Sequence, residues 1–285
     1  MPRVWLFSLA LLALVIPCPA RAETPPGTFA VEAVKDVAYY DGPGADKVKH
    51  RLDLYLPRGQ KDFPVLFFVH GGAWQRGDKA MLGIYRSLGS FYARQGVGAV
   101  VINYRLSPSV AHPEHIKDVA RAFAWTHKNI ARYGGRPDRI FVSGHSAGGH
   151  LISLLVTDDS YLKAEGLSTR DIRGAIALSG VYRVPDRYLN AVFGTDPEVR
   201  KQASPIEHVR AGLPPFLIVY GDSDLPGCDR DPSEAFARAL RDKGDKAETL
   251  EVRECGHINV LMNAALPDTP VSRAIFAFIA ANAGK

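Results

Sequence analysis

Apolar runs of strand length alternate with longer segments of helical period along this chain of 285 residues. The inner runs are almost wholly apolar, as strands are when helices cover both faces of their sheet. This alternation predicts an α/β fold in which a mostly parallel sheet of about eight strands has helices on both faces. Seven runs qualify as strands, and they begin at His50, Phe63, Val97, Arg139, Arg173, Pro215 and Glu248.

Three segments between and after these runs have the period of a helix. Residues 113–135 carry an apolar stripe and end in two glycines, which predicts a helix with a glycine C-cap. Residues 233–244 predict a helix with Ser233 as its N-cap, and residues 272–283 predict a closing helix. Residues 182–214 are irregular and hold four prolines, so we expect a small cap between the sixth and seventh strands.

The N-terminus has the features of a secretory signal peptide. Arg3 precedes an apolar run at residues 4–16, and Ala20 and Ala22 occupy the A-x-A positions of a cleavage site. Cleavage is therefore expected before Glu23, which makes residues 1–22 the signal peptide. The alternative is an uncleaved anchor, but the apolar run is short for a membrane span.

Residues 23–285 contain no Gly/Ser linker, charge run or repeat, so we expect them to form one catalytic domain. Without Arg3 and Arg21, 33 Lys and Arg remain against 30 Asp and Glu, a net charge of +3 with no basic block. This charge pattern argues against nucleic acid as a partner. The sequence has no His/Asp/Glu cluster with ligand spacing, so no metal is expected either.

The pentapeptide Gly-His-Ser-Ala-Gly places Ser146 where a predicted strand ends and a helix begins. In this context a G-x-S-x-G motif presents a nucleophilic serine on a strained turn. Gly144 and Gly148 would allow the neighbouring strand and helix to pass too close for a Cβ atom. The N-terminus of the helix favours developing negative charge. The motif therefore predicts Ser146 as a nucleophile, the alternative being a chance glycine-rich turn.

A serine hydroxyl is a poor nucleophile without a base, and the chain has nine histidines. His145 and His150 flank Ser146 in sequence, but the turn should point such neighbours away from the hydroxyl. His257 follows the last predicted strand, on a loop at the same sheet edge as Ser146 if the strands are parallel. We therefore expect His257 to act as the general base.

The acid that orients this histidine should follow the preceding strand, where both Asp222 and Asp224 lie. We favour Asp224, because the first loop residues after Gly221 should complete the turn before a side chain can reach sideways. Asp222 remains the alternative. Serine, acid and histidine then follow one of the three known chain orders of this triad.

Donors for a tetrahedral oxyanion are expected from the loop His-Gly-Gly-Ala-Trp that follows an earlier strand. We expect the backbone N–H groups of Gly72 and Ala73 to act together with that of Ala147. His70 should hold this loop through a hydrogen bond without acting on the substrate.

Two aromatic residues and two cysteines complete the candidate site. Trp74 and Tyr104 are expected to border the substrate pocket, the alternative for Trp74 being packing beneath its loop. Cys228 and Cys255 lie near the acid and the base in sequence. In an exported protein they could form a disulfide that locks the two loops together, the alternative being two separate thiols.

The stretches HGGAW, NYRLSP, GGRPDRIFVSGHSAGGHL and GDSD…CGH, in this order, resemble the α/β-hydrolase superfamily over nearly all of residues 23–285. They are similar to small carboxylesterases grouped with BD-FAE and hormone-sensitive-lipase-like proteins, and to kynurenine formamidases. The resemblance implies the α/β-hydrolase fold. The catalytic residues it implies are Ser146, Asp224 and His257, and the oxyanion donors are Gly72, Ala73 and Ala147. Ala73 replaces the third glycine of the lipase motif and the N-terminal cap is short, which favours the BD-FAE-like group over a lipase.

Our leading hypothesis is a periplasmic or secreted serine hydrolase that cleaves carboxylic esters of small or aromatic substrates through an acyl-enzyme. The alternative is arylformamide hydrolysis by the same triad, although that substrate arises in the cytoplasm. A non-catalytic binding module is a further alternative, disfavoured because every part of the site is intact. The expected partner is a small-molecule ester, with no cofactor, no nucleic acid and no stable membrane anchor after cleavage. Nothing in the sequence predicts the oligomeric state.

Overall fold

The computed structural model describes residues 28–284, so the predicted signal peptide lies outside the described residues. Within that range, no helix has the length and apolar character needed to cross a membrane. All seven predicted strands and all three predicted helices lie within it, together with elements that the sequence patterns did not single out.

Eight strands of the described region form a single sheet. They are β1 (Val31–Ala38), β2 (Arg51–Pro57), β3 (Phe63–Val69), β4 (Gly98–Ile102), β5 (Gly135–His145), β6 (Gly174–Leu178), β7 (Phe216–Ser223) and β8 (Ala247–Gly256). Their order is β1-β2-β4-β3-β5-β6-β7-β8. The strands from β4 to β8 along this order are parallel, while β2 is antiparallel to both of its neighbours. The predicted fold class is therefore confirmed.

Strand β1 is the one strand of the sheet that the apolar runs did not reveal. Its sequence, VEAVKDVA, has charged residues among the apolar ones because it lies at the sheet edge, where none of its residues is fully buried. An edge strand needs an apolar face on one side only, so it lacks the continuous hydrophobic run of the inner strands.

Nine α-helices lie among the described residues. They are α1 (Ile84–Arg94), α2 (Glu114–Asn129), α3 (Ala147–Thr157), α4 (Ser160–Ala164), α5 (Asn190–Phe193), α6 (Pro197–Gln202), α7 (Arg230–Asp242), α8 (His257–Ala264) and α9 (Pro270–Asn282). The predicted cap is formed by α5 and α6 between β6 and β7. The turn after α2 ends at Gly134 with φ 87°, as the glycine C-cap predicted. The prediction of Ser233 as an N-cap is wrong, because α7 begins at Arg230 and buries Ser233 inside the helix.

Two hydrophobic clusters cover the two faces of the sheet. Helices α2, α3 and α7 and the cap pack on one face, whereas α1, α8 and α9 pack on the other. Strand β6 shows the alternation clearly, since Ala175 and Ala177 face the first cluster and Ile176 and Leu178 face the second. Helices cover both faces of the sheet, which explains why the inner strands are apolar throughout.

Five of the nine histidines have a pKa that burial lowers. Burial lowers the pKa of His70, His112, His115 and His145 to about 4, and that of His150 to about 3, from an ordinary value of 6.5. Because their pKa values are lower in the folded than in the unfolded chain, these histidines are neutral in the native protein at neutral pH.

We predict a steep loss of stability as the pH falls from about 6.5 towards 4, because in that range the unfolded chain binds protons that the native chain excludes. Each such histidine lowers the free energy of unfolding by up to about 1.4 kcal/mol per pH unit. Urea unfolding at pH 7.5, 6 and 5 measures the effect. A His115→Gln variant should show a shallower loss, and equal stability at pH 7.5 and 5 would contradict the prediction.

Candidate active site

Five parallel strands deliver the candidate site to one edge of the sheet. His70 follows β3, Ser146 follows β5, Ser179 follows β6, Asp224 follows β7 and His257 follows β8. Since the carboxyl ends of parallel strands share an edge, side chains from distant parts of the chain converge there. This convergence is the reason that residues separated by more than 100 positions can act together.

Ser146 occupies a sharp turn between β5 and α3. Its backbone has φ 56° and ψ −121°, a conformation that a residue with a side chain rarely adopts. Its N–H donates to the carbonyl of Leu178 at 2.9 Å, which ties the turn to β6. The hydroxyl is presented at the start of α3, next to N–H groups that have no partner within the helix.

The glycines around Ser146 are required by close backbone contacts. A Cβ atom at Gly148 would overlap the carbonyl oxygen of Val69, and one at Gly144 would overlap the backbone of Gly148. At Gly71, a Cβ atom would lie 3.1 Å from the Cβ of Ser146. The loop after β3 therefore rests directly on the turn that carries the serine.

His257 and Asp224 form a short hydrogen-bonded pair. The Nδ1 of His257 lies 2.6 Å from Oδ1 of Asp224, whose side chain is fully buried. Burial would raise the pKa of Asp224, but hydrogen bonds from His257, Ser179 and the backbone N–H groups of Gly221 and Leu225 hold it below its ordinary value. The carboxylate therefore stays charged and fixes the imidazole orientation, which leaves Nε2 free to act as a base.

Ser179 is a member of this network that the sequence patterns did not identify. It is buried at the end of β6, and its hydroxyl donates to Oδ2 of Asp224 at 2.6 Å. Its sequence signal is weak, because a single serine after a strand is common. The four donors to Asp224 leave its orientation with little freedom.

Asp222, the alternative acid, has a different role. Its carboxylate accepts hydrogen bonds from the backbone N–H groups of Glu254 and Cys255 at 2.8 and 3.0 Å. It thus joins the ends of β7 and β8, as expected of a residue that completes the turn. The structure pairs Asp224, and not Asp222, with His257.

The sequence suggested that His257 lies on a loop. In the structure it is the first residue of α8, directly after β8. The other histidines contact other groups. His50 pairs with Asp118 at 3.0 Å, His127 lies 3.7 Å from Asp171, and His208 donates to the carbonyl of Gln202. Of the nine histidines, all of which are in the described range, His257 is the one hydrogen-bonded to Asp224 through its ring.

The loop after β3 has an unusual backbone. Gly72, Ala73 and Trp74 have φ values of 118°, 52° and 57°, so three consecutive residues are in left-handed conformations. His70 anchors the start of this loop, since its Nδ1–H donates to the carbonyl of Gly71 at 2.7 Å. The loop faces Ser146 and the first N–H groups of α3, which is where the backbone donors of Gly72, Ala73 and Ala147 were predicted to act.

The expectation that Trp74 and Tyr104 border the substrate pocket is wrong. Trp74 is only 3% exposed; its indole N–H donates to Nδ1 of His150 at 3.2 Å, and its ring packs edge-on against Phe193 of the cap. Tyr104 is fully buried, stacks on His70 at 4.5 Å between ring centroids and donates its hydroxyl to the His70 carbonyl. Both rings support the loop from beneath.

The expected disulfide is also absent from the structure, in which Cys228 and Cys255 are free, buried thiols. Cys255 packs in the hydrophobic cluster of α8 and α9. Cys228 is buried near Tyr182, whose pKa is raised by burial and, to a smaller extent, by the nearby Cys228. The nearness of the two cysteines to the acid and the base in sequence therefore does not pair their sulfur atoms.

Comparison with known proteins places this geometry in a family. The BD-FAE family model matches residues 52–180, which include the loop after β3 and the serine turn. The chain is 32% identical to Esterase LipC of Mycobacterium tuberculosis, over 93% of this chain and 70% of LipC. The chain belongs to the α/β-hydrolase carboxylesterases of the hormone-sensitive-lipase-like group.

Further relatives agree with this assignment. Esterase LipQ of Mycobacterium tuberculosis is 36% identical over 73% of this chain, although the chain spans only 53% of LipQ. Among solved structures, Thermogutta terrifontis esterase 2, phosphoramylated by tabun, has a TM-score of 0.69 and 25% identity. That alignment covers 91% of this carboxylesterase and 94% of the other chain.

We predict that Gly72→Ala lowers kcat by about 100-fold or more, since a Cβ atom there would overlap the carbonyl of Arg76 and displace the predicted oxyanion donors. The measurement is hydrolysis of a p-nitrophenyl ester.

The matched control is Gly212→Ala, because Gly212 also has a positive φ, 86°, but has open space around it. This substitution should cost about 1 to 2 kcal/mol of stability and leave kcat unchanged. Equal losses of kcat in the two variants would refute the assignment of the loop.

Proposed function

We propose that this carboxylesterase cleaves esters of small or aromatic substrates with Ser146 as nucleophile, His257 as general base and Asp224 as the orienting acid. The observation that carries the proposal is the 2.6 Å hydrogen bond between His257 and a fully buried Asp224, at the sheet edge where Ser146 occupies its strained turn.

The reaction proceeds in two halves. Nε2 of His257 takes the proton of the Ser146 hydroxyl as Oγ attacks the ester carbonyl, and Asp224 stabilises the imidazolium that forms. The tetrahedral oxyanion accepts hydrogen bonds from the backbone N–H groups of the β3 loop and of Ala147. His257 then protonates the departing alcohol, which leaves an acyl-enzyme on Ser146. Water, deprotonated by His257, releases the carboxylic acid and restores the serine.

The surroundings of the triad suit an apolar acyl or alcohol group. Leu225 and Ile258 follow the acid and the base directly in sequence and are 54% and 56% exposed. Exposed apolar patches can mark ligand-binding grooves. They support the proposal of small or aromatic substrates.

Ester hydrolysis is favoured over arylformamide hydrolysis because the relatives are named esterases. The binding-module alternative is disfavoured by the strained Ser146 backbone, which costs about 1 to 3 kcal/mol and persists where function requires it.

We predict that the protein hydrolyses p-nitrophenyl acetate, butyrate or methyl ferulate, and that Ser146→Ala is inactive. Asp224→Asn should lose about 10⁴-fold in kcat, because the imidazole is then held in the wrong tautomer. N-formylkynurenine and p-nitrophenyl decanoate complete the substrate panel. Turnover of the formamide only would favour the formamidase alternative.

Asp222→Asn is the control for this experiment, since it makes the same chemical change two residues from the acid. Its loss should appear in stability, through the bonds to Glu254 and Cys255, and not in kcat. Full activity of Ser146→Ala, or equal losses in the two aspartate variants, would refute the triad.

We also propose that the protein is exported to the periplasm or secreted, with residues 1–22 as its signal peptide and residues 23–285 as the catalytic domain. The motif of Arg3, the apolar run and Ala20-x-Ala22 supports this localisation. N-terminal sequencing of the protein from a cell fraction outside the cytoplasm should begin at Glu23. Recovery of the intact N-terminus from the cytoplasm would contradict export.

A further inference from the structure

His145, the residue directly before the nucleophile, contacts the base that acts on it. Its Nε2 lies 2.9 Å from the backbone carbonyl oxygen of His257, and the two rings have centroids 4.6 Å apart. The sequence suggested that the turn directs His145 away from the serine hydroxyl. The structure directs it to the backbone carbonyl of His257, the proposed general base.

The hydrogen-bond partner identifies the state of His145. A carbonyl oxygen only accepts hydrogen bonds, so Nε2 of His145 must carry a proton and donate it. Burial lowers the pKa of His145 to about 4, against the opposing effects of the bond to His257 and the charge of Asp224. His145 is therefore a neutral donor at neutral pH, and it adds no positive charge beside the imidazolium of His257.

The same side chain also packs against the loop that carries the predicted oxyanion donors. Nδ1 of His145 would lie 3.1 Å from a Cβ atom at Gly71, and its carbonyl oxygen would lie 2.8 Å from it. His145 is only 3% exposed. One buried ring thus lies between the β3 loop and His257, and it is covalently adjacent to Ser146.

The backbone of His257 needs such support because of where it lies. His257 begins α8, and its N-cap residue, Gly256, supplies no side-chain hydrogen bond to the first turn. Asp224 fixes the orientation of the imidazole through one atom, Nδ1. An anchor on the backbone of His257 would fix the position of the ring as well.

We propose that His145 is a positioning residue that fixes the backbone of His257 and thereby directs Nε2 of the base towards Oγ of Ser146. The inference rests on the proposed function, because it assigns His145 a role in the reaction of that triad. His145 does not contact the reacting atoms in this proposal and acts through His257.

The test compares His145→Gln with His145→Met, two side chains of equal length of which only glutamine has an N–H donor. His145→Met should lower kcat by about 10- to 100-fold through misplacement of the base, with KM changed little. His145→Gln should recover most of that loss. Rates are taken per active site, titrated with a p-nitrophenyl phosphonate, and the acid limb of the pH–rate profile should move in the methionine variant only.

His115→Met is the matched control, because His115 is also buried and neutral, with a pKa of about 4, but bonds Ser107 away from the triad. It should lose stability and keep both kcat per active site and the pH–rate profile. If His145→Met behaves in the same way, the role of His145 is structural and the proposal is wrong. The proposal is equally wrong if the glutamine variant is no better than the methionine variant.

A second measurement needs no substrate and separates this proposal from the proposed function. In proton NMR spectra, the Nδ1 proton of His257 bonded to Asp224 should give a downfield signal. This signal should broaden in His145→Met and stay sharp in His145→Gln, whether or not the wild type cleaves any ester in the panel. An unchanged signal in the methionine variant would overturn the positioning role, whereas wild type inactive on every ester would overturn the proposed function.

Discussion

The contact between the end of β3 and the start of α3 is the constraint on which the arrangement of the site depends. No side chain separates the two backbones, because a Cβ atom at Gly148 would overlap the carbonyl of Val69. This closeness brings the β3 loop against Ser146 and sets the proposed oxyanion donors beside the serine. It also forces the serine turn into its strained conformation, which the bond from Ser146 N–H to Leu178 and the packing of α3 must hold in place.

A buried carboxylate imposes the second constraint. The side chain of Asp224 is shielded from solvent, so the hydrogen-bond donors that stabilise its charge must come from the protein. Ser179, the backbone of β7 and His257 supply them, and each comes from a different part of the fold. The acid is thus oriented by the sheet itself, and the base inherits that orientation through a single short bond. The geometry of the proposed triad therefore depends on the order of the strands in the sheet.

The parts of this protein that the sequence predicted are those with strong local signals. Apolar runs located the inner strands, and Gly-His-Ser-Ala-Gly located the serine because the motif encodes its own backbone geometry. Edge strand β1 has no such signal, and the burial of Trp74 and Tyr104 depends on which face of a loop packs inward. The cysteines show the same limit: sequence proximity to the triad suggested a possible disulfide, but both thiols are free in the structure. Long-range orientation is the information that a single sequence lacks.

The neutral histidines connect catalysis to stability. A charged His145, with its ring 4.6 Å from that of His257, would repel the imidazolium that His257 becomes in the proposed reaction. Burial prevents this, because desolvation keeps His145 uncharged in the range where an exposed histidine would titrate. The same burial makes the fold bind fewer protons than the unfolded chain in mild acid, so the surroundings that suit the base also limit the pH range of the folded protein. A fold that keeps several imidazoles neutral by burying them is therefore expected to lose stability in mild acid.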